Sequence, residues 1–401
     1  MRICLVNDYS LTHIGGAVTS LFEQKKALES AGHTVYILQL GTPPRSVAIN
    51  QTNVIYIKPS FTLPPVFYNL PFLTGSKKNL RKIHDALSDA AIDVIHFQSE
   101  FSLAYAVSKI AKQLSVPTVF TIHTFFWEYI GTTALHVVAN IIKILFEKTT
   151  RQKILTEKLP GNSVEQMLKN ITLTLAKQSG AVISPSSHQR DVLEQTSLKT
   201  PLYTAPNPYR APDDAPTPRV VRTDKHVFRI AWIGRCVPEK RLAEFLAAAA
   251  IAQAQSNERV LVDVVGDGSL LPELKELFQS DTIVFHGKQP HAKIVEYIDR
   301  SDVVALSSYH FDNQPMTIAE GISRFRGILY CDERLTEGLQ SAGYKSDDET
   351  PESMAKAIVA LAESPSIVRT LSENAKKDSS LFSSRTYAST AEKIYTGLLN
   401  K

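Results

Sequence analysis

Arg235 and Lys240 stand five residues apart just after an apolar run, residues 228–233, that ends in Gly234. Two cations at the carboxyl end of a strand can both reach a diphosphate. There they would neutralise the charge that grows on a leaving group as a glycosidic bond to phosphate breaks. A solvated Arg–Lys pair at a helix start would look the same in sequence. Gly266-Asp267-Gly268 lies at a second strand-to-helix turn, where glycine lets backbone come close to a ligand. It lacks the third glycine of the dinucleotide fingerprint, so a plain tight turn reads equally well. Asp312, Asn313, Gln314, Pro315, Met316 and Thr317 follow the apolar run 303–306, and Glu320 comes eight residues after Asp312. Pro315 predicts a helix start, whose N–H groups and dipole suit a phosphate. Glu320 could accept from ribose hydroxyls and Asp312 from those of a sugar. The competing reading is a capped surface helix with a solvated carboxylate. His123 directly follows the run 118–122, which favours a site position over a core histidine bonded to backbone.

The elements that must position these groups are visible as an alternation of short apolar runs and helical patterns. Residues 2–6, 34–40, 54–57, 94–97, 118–122 and 181–184 predict strands in the first half, with a helix over 17–31 after Gly15-Gly16. Five prolines crowd residues 206–218 and predict a stiff linker. The pattern then restarts with strands at 228–233, 260–265, 282–285, 303–306 and 328–331, and helices at 243–255 and 270–278 among those between them. Such alternation predicts parallel sheets with helices on both faces. The expected layout is a Rossmann-like N-terminal domain over 1–205, the linker 206–218, and a second Rossmann-like domain over 219–383. A final helix over 384–401 is expected to complete the first domain. Ligands in such sheets bind beyond the carboxyl ends of the strands, where the residues above fall.

A chain of 401 residues with 43% hydrophobic and 21% charged residues is an ordinary globular composition. A net charge of +4 and a pI of about 8.7 do not make a nucleic-acid-binding surface, although they leave room for a local basic patch. Cys4, Cys236 and Cys331 show no metal-ligand spacing and read as buried reduced thiols. The first apolar run is too short for a signal peptide, and no window is long enough to span a bilayer. The expectation is a cytoplasmic protein, with a peripheral place on the inner face of the plasma membrane as the finer alternative.

Gly15-Gly16, Thr121-Ile122-His123-Thr124, Gly234-Arg235 with Lys240, Gly266-Asp267-Gly268, and Asp312 with Glu320 occur in that order along the chain. Together they resemble glycosyltransferase family 4, whose members are retaining enzymes of the GT-B type with two Rossmann-like doubly wound domains facing a cleft. The family pattern has glutamate where Asp312 stands, and a Gly-x-Pro pattern where Gly321, Phe325 and Gly327 stand. The resemblance implies that Arg235 and Lys240 grip the donor diphosphate and Glu320 the ribose. Asp312 and the backbone of Asn313 to Met316 would hold the hexose. Gly15 and Gly16 would close on phosphate, and His123 would lie near the anomeric centre. It implies a nucleotide-diphosphate sugar as donor, uridine ahead of guanosine, and attack from the face the phosphate leaves. No cofactor and no metal are expected; no Asp-x-Asp follows a strand.

The acceptor is less sharply drawn. Residues 133–147 predict a helix that is apolar except for the stripe His136, Asn140, Lys143 and Glu147, and Lys148, Arg151, Lys153 and Lys158 follow it. An aromatic, proline-containing stretch at 61–72 precedes Lys77, Lys78, Arg81 and Lys82. An apolar helix edged with cations suits an anionic membrane surface; packing into the first domain is the alternative. Resemblance to lipid-modifying members of the family favours a lipid acceptor such as diacylglycerol. Transfer to a soluble or polymer-linked sugar, a catalytically silent sugar-nucleotide-binding protein, and a sugar-nucleotide epimerase are the rivals.

Overall fold

The computed structural model describes residues 1–11, 16–42, 53–63, 69–127, 139–221 and 227–400. They form two compact units: Met1–Ala205 with Tyr387–Lys401, and Pro206–Thr386.

In the first unit the strands are β1 (Arg2–Asn7), β2 (Thr34–Leu40), β3 (Val54–Ile57), β4 (Phe61–Thr62), β5 (Pro71–Phe72), β6 (Val94–Phe97), β7 (Thr118–Thr121), β8 (Ala181–Ser184) and β9 (Leu202–Thr204). All but β4 and β5 pair in parallel in the order β3-β2-β1-β6-β7-β8-β9. Strands β6, β7 and β8 are buried at every position, as both-face-covered parallel strands are, and their few polar residues, His96, Thr118, Thr121 and Ser184, are buried with them. Helices α1 (Gly16–Ser30), α2 (Lys77–Asp89), α3 (Ser102–Leu114), α4 (Ala139–Thr150), α5 (Ser163–Gln178) and α6 (Ser187–Glu194) lie between the strands. One core cluster includes Leu103, Tyr105 and Ile110 of α3 with Phe146 of α4. A second gathers α1 side chains with Tyr387, Ala391, Ile394 and Tyr395 of the last helix. Strands β4 and β5 form a short antiparallel ribbon on which Phe61 stacks against Phe72.

In the second unit β10 (Val227–Ile233), β11 (Arg259–Val265), β12 (Ile283–Gly287), β13 (Val303–Leu306), β14 (Gly327–Tyr330) and β15 (Gly343–Lys345) pair in parallel in the order β12-β11-β10-β13-β14-β15. Its helices are α7 (Leu242–Gln255), α8 (Leu271–Phe278), α9 (His291–Arg300), α10 (Met316–Ser323), α11 (Leu339–Ala342), α12 (Pro351–Glu363) and α13 (Pro365–Asp378). Helix α10 buries Met316, Ile318, Ala319 and Ile322; each isoleucine contributes roughly 2 kcal/mol by leaving water. The final helix, α14 (Ser384–Leu399), packs with the first unit from Tyr387 onward. The proline-rich stretch 206–218 lies on the second unit. Tyr209 is buried in its core and its N–H donates to the Phe382 carbonyl at 2.8 Å, while Arg324 binds the Pro216 carbonyl.

Both sheets share one property. In the first, the chain runs outward from β1 to β3 and then returns to β6 on the other side of β1. In the second, it runs from β10 to β12 and returns to β13 on the other side of β10. Each sheet therefore has a switch point, at β1/β6 and at β10/β13, where successive loops diverge and leave a crevice.

Candidate active site

At the second switch point the loops after β10, β11 and β13 come together. The β10 loop turns through a 3-10 segment, Pro238–Lys240, and Arg241, at φ 51°, hands the chain to α7. Ser307, just past β13, donates to the Lys240 carbonyl at 2.7 Å and accepts from the Trp232 indole at 2.9 Å. Those bonds fix the lysine backbone against the end of β13. The Lys240 ammonium then reaches Asp312, with Nζ 2.6 and 2.8 Å from the two carboxylate oxygens, and it also faces the Phe311 ring at 5.5 Å. Ser308 donates to the same carboxylate. His310, at φ 52°, is a second left-handed non-glycine in this site, and its N–H is held by Asp332 at 2.8 Å. Two such residues beside one cation mark a loop region whose shape is imposed by its surroundings.

Helix α10 starts after Pro315, which offers its first turn no side-chain hydrogen bond, and the positive end of the helix dipole lies there. Gln314 is buried, its Oε1 accepting from the Asn207 N–H at 2.9 Å. Thr317 bonds the Ile233 carbonyl at 3.3 Å, pinning the helix start to the end of β10. Glu320 is buried one turn further on, with Oε1 4.0 Å from Nε2 of His291 at the start of α9. The Arg235 side chain is exposed.

The glycine turn after β11 has a role that spacing did not reveal. A register shift at Val264/Val265 ends the β11 ladder. Gly266, at φ 153°, lies so close to the β10 loop that a Cβ there would stand 1.8 Å from the Gly234 carbonyl oxygen. A Cβ on Gly268 would stand 2.4 Å from that of Cys236. The space these glycines leave is filled by neighbouring backbone. Gly266 and Gly268 thus hold the β10 and β11 loops together, where the sequence left close approach of a ligand and a plain tight turn both open.

At the first switch point the residues after β1 and β6 form a buried polar network. Asp8 is fully buried and accepts from Ser99 Oγ at 2.8 Å and from the N–H groups of Phe101, Leu103 and Ala104. It thereby caps α3, whose own N-cap residue is Phe101. Burial pushes the Asp8 carboxyl above its usual range despite these donors. Glu100 beside it is 1% exposed, and its Oε1 has no hydrogen-bond partner among the described residues. Loss of water, and then the Asp8 charge, push the Glu100 carboxyl up to about 8, so it is largely protonated at neutral pH.

His123 lies just past β7, next to β6 in the sheet. Its Nε2 is 2.7 Å from Gln98 Oε1 and 3.5 Å from Gln24 Nε2. Desolvation lowers its pKa to about 4, so the ring is neutral at pH 7, and with the Gln98 oxygen facing it Nε2 carries the proton. Gln98 and Gln24 were not singled out in the sequence. The position of Gln98 immediately after a strand is the only signal that could have found it. Gly16 begins α1 and is exposed, while Gly15 lies outside the described residues.

Lys240, Asp312, Thr317 and Glu320 are thus drawn to one switch point, and His123 sits near the other. The three cysteines are free and buried. No helix among the described residues is long and apolar enough to cross a membrane.

Two parallel-sheet Rossmann-like units, each with polar groups beyond its strand ends, are the architecture of the GT-B type. Residues 14–210 match the family described as Glycosyltransferase Family 4, and residues 227–364 the one described as Glycosyl transferases group 1. Together the two matches make the chain a glycosyltransferase. It is 24% identical over 420 residues to an alpha-monoglucosyldiacylglycerol synthase of Acholeplasma laidlawii, an alignment covering 100% of this chain and 98% of that one. It is 23% identical over 380 residues to the alpha-monoglucosyldiacylglycerol synthase of Streptococcus pneumoniae, covering 90% of this chain and 79% of the relative. In fold it is similar to Anabaena HepE, crystallised in complex with UDP, with a TM-score of 0.67, 14% identity and coverage of 99% of this chain and 100% of that one.

Proposed function

We propose that the chain is a retaining hexosyltransferase that moves glucose from a uridine diphosphate sugar to the free hydroxyl of diacylglycerol. The observation that carries the donor half is the meeting of Lys240, Asp312 and the start of α10 at the β10/β13 switch point. When the donor enters, its diphosphate takes the Lys240 ammonium from Asp312 and receives the N–H groups at the start of α10, with Arg235 from the same β10 loop. Asn313, Gln314, Pro315 and Met316 present backbone to the hexose, Asp312 turns to its hydroxyls, and Glu320 holds the ribose. For a role of Gly15 and Gly16 at the phosphate the family resemblance is the support. The bond from the anomeric carbon to the phosphate oxygen breaks as the acceptor oxygen attacks from the same face. The acceptor proton passes to the departing phosphate oxygen, so no protein nucleophile is needed. The transfer uses no cofactor and no metal, because the cations and the helix start neutralise the leaving group. Neutral His123 orients the sugar by hydrogen bonding.

The acceptor half is supported by the two synthase relatives and by the surface of α4. Ile141, Ile144 and Leu145 are 56%, 50% and 57% exposed on one face of that helix, while Phe146 packs inward against Phe72 and Tyr105. The N–H of Gly75 donates to the Thr149 carbonyl at 2.8 Å, which sets the end of α4 beside the start of α2. Exposed Lys148 and Arg151 therefore stand near exposed Lys77 and Lys78. Apolar side chains ringed by cations fit an anionic membrane surface, and we place the protein on the inner face of the plasma membrane. The test is transfer from UDP-glucose to diacylglycerol in vesicles containing an anionic phospholipid. An α-glucosyl lipid that mild alkali deacylates to glucosylglycerol, formed with one UDP released per turn, supports the reading. Turnover only with a soluble sugar would contradict it.

A further inference from the structure

The last helix carries two tyrosines, Tyr387 and Tyr395, that are 3% and 0% exposed. A buried phenol costs stability unless its hydroxyl finds a partner, and phenylalanine would fill the same space without that cost. Both hydroxyls end on polar chains that lead to the carboxyl end of β7. Tyr395 Oη lies 2.7 Å from Nδ1 of His96, and Nε2 of the same ring lies 2.7 Å from Oγ1 of Thr121, two residues before His123. Tyr387 Oη donates to Oε1 of Gln24 at 2.6 Å. That bond decides which way the Gln24 amide faces. Its oxygen is committed to the tyrosine, and its nitrogen therefore turns to Ser20 Oγ at 3.0 Å and to the His123 ring at 3.5 Å. Gln24 is fully buried, so no water can take over the role of the phenol.

We propose that Tyr387 is a positioning residue for His123, acting through Gln24. The proposal rests on the reading of His123 as a sugar-orienting residue. Without the phenol the Gln24 amide can rotate and bring its carbonyl oxygen toward the His123 ring. That would compete with Gln98 for the ring proton and favour a different ring orientation. Tyr387 is also the first residue at which the chain rejoins the first unit, so the bond is made where the last helix enters the core.

The test is Tyr387→Phe, which keeps the ring and removes only the hydroxyl, with Gln24→Met as a second variant that keeps shape and loses the amide. Turnover is measured with UDP-glucose and diacylglycerol vesicles, and the His123 ring nitrogens are followed by ¹⁵N NMR. The expected result is a fall in kcat of about tenfold, the scale of a sub-ångström misplacement, with donor KM nearly unchanged, a lower Tm in both variants because each leaves a buried polar group without its partner, and a moved His123 ¹⁵N signal. In a His123→Ala background neither variant should lower kcat further, because the two act as one unit. An unaltered His123 ¹⁵N spectrum in Tyr387→Phe overturns the proposal, and so does an equal loss of kcat in both backgrounds. If His123→Ala alone leaves kcat unchanged, the reading of His123 fails first and the proposal with it. If His123→Ala is slow and Tyr387→Phe is not, the proposal alone fails.

Discussion

Lys240 and Asp312 form an ion pair with side chains 17% and 12% exposed, and in the proposed mechanism a diphosphate competes for that lysine. Removing the lysine removes a charge-assisted donor to the leaving group, so Lys240→Ala should lower kcat/KM by about 3 kcal/mol. It should also weaken the binding of UDP by titration calorimetry. A variant with unaltered kinetics would take the diphosphate away from this loop. Glu100 makes a prediction of a different kind. Its carboxyl is raised from 4.5 to about 8, so the folded protein holds a proton that the unfolded chain releases. Its contribution to stability is complete below about pH 4.5 and is lost as pH rises through about 8. Glu100→Gln should therefore raise the Tm relative to the parent at pH 9 by more than at pH 5. Equal shifts at both pH values would mean that Glu100 is ionised in the fold.

At the scale of elements, the positions of strands and the site loops follow from simple causes. Runs 54–57 and 303–306 are apolar throughout, and 94–97 and 181–184 carry one polar residue each, His96 and Ser184; all four are bounded by polar or turn residues and fold as strands with those same limits. Two edge strands escaped. Leu202–Thr204 and Gly343–Lys345 are three residues long, and Tyr203 is 42% exposed, so neither carries an apolar run to be read. The helix expected over 133–147 is described only from Ala139 and continues to Thr150; residues 128–138 lie outside the described part. Lys240, Asp312 and Glu320 were legible because their chemistry falls at strand ends. Gln24 was not, since a glutamine on a helix next to two lysines looks like a solvated face, and its burial with Tyr387 as partner is a tertiary fact. The spacing of Gly266 and Gly268 was visible, but its cause lay in the neighbouring loop. Gly266→Ala should accordingly destabilise the protein without ligand by roughly 2–4 kcal/mol, read by denaturant unfolding. A parent-like unfolding midpoint would return Gly266 to the role of a ligand contact.

The whole molecule holds two sheets of the same design, each with polar side chains gathered beyond a switch point. A net charge of +4 understates its local distribution, because Lys77, Lys78, Arg81, Lys82, Lys148 and Arg151 are all exposed around the end of α4. Replacing Ile141, Ile144 and Leu145 together by serine should lower binding to anionic vesicles at least tenfold in co-sedimentation, given the apolar area lost at such a surface. Turnover on a detergent-dispersed short-chain diacylglycerol should survive, and loss of both activities would point to a packing role for the face. Added salt should weaken vesicle binding of the parent, since the cations act through a screened field.

The account turns on where a diphosphate binds, and a crystal structure of the protein with UDP would show it most directly. The predicted result places the β-phosphate within hydrogen-bonding reach of Lys240 Nζ and of the N–H groups at the start of α10, with the Lys240–Asp312 contact opened. A diphosphate bound elsewhere, with that pair intact, would contradict it.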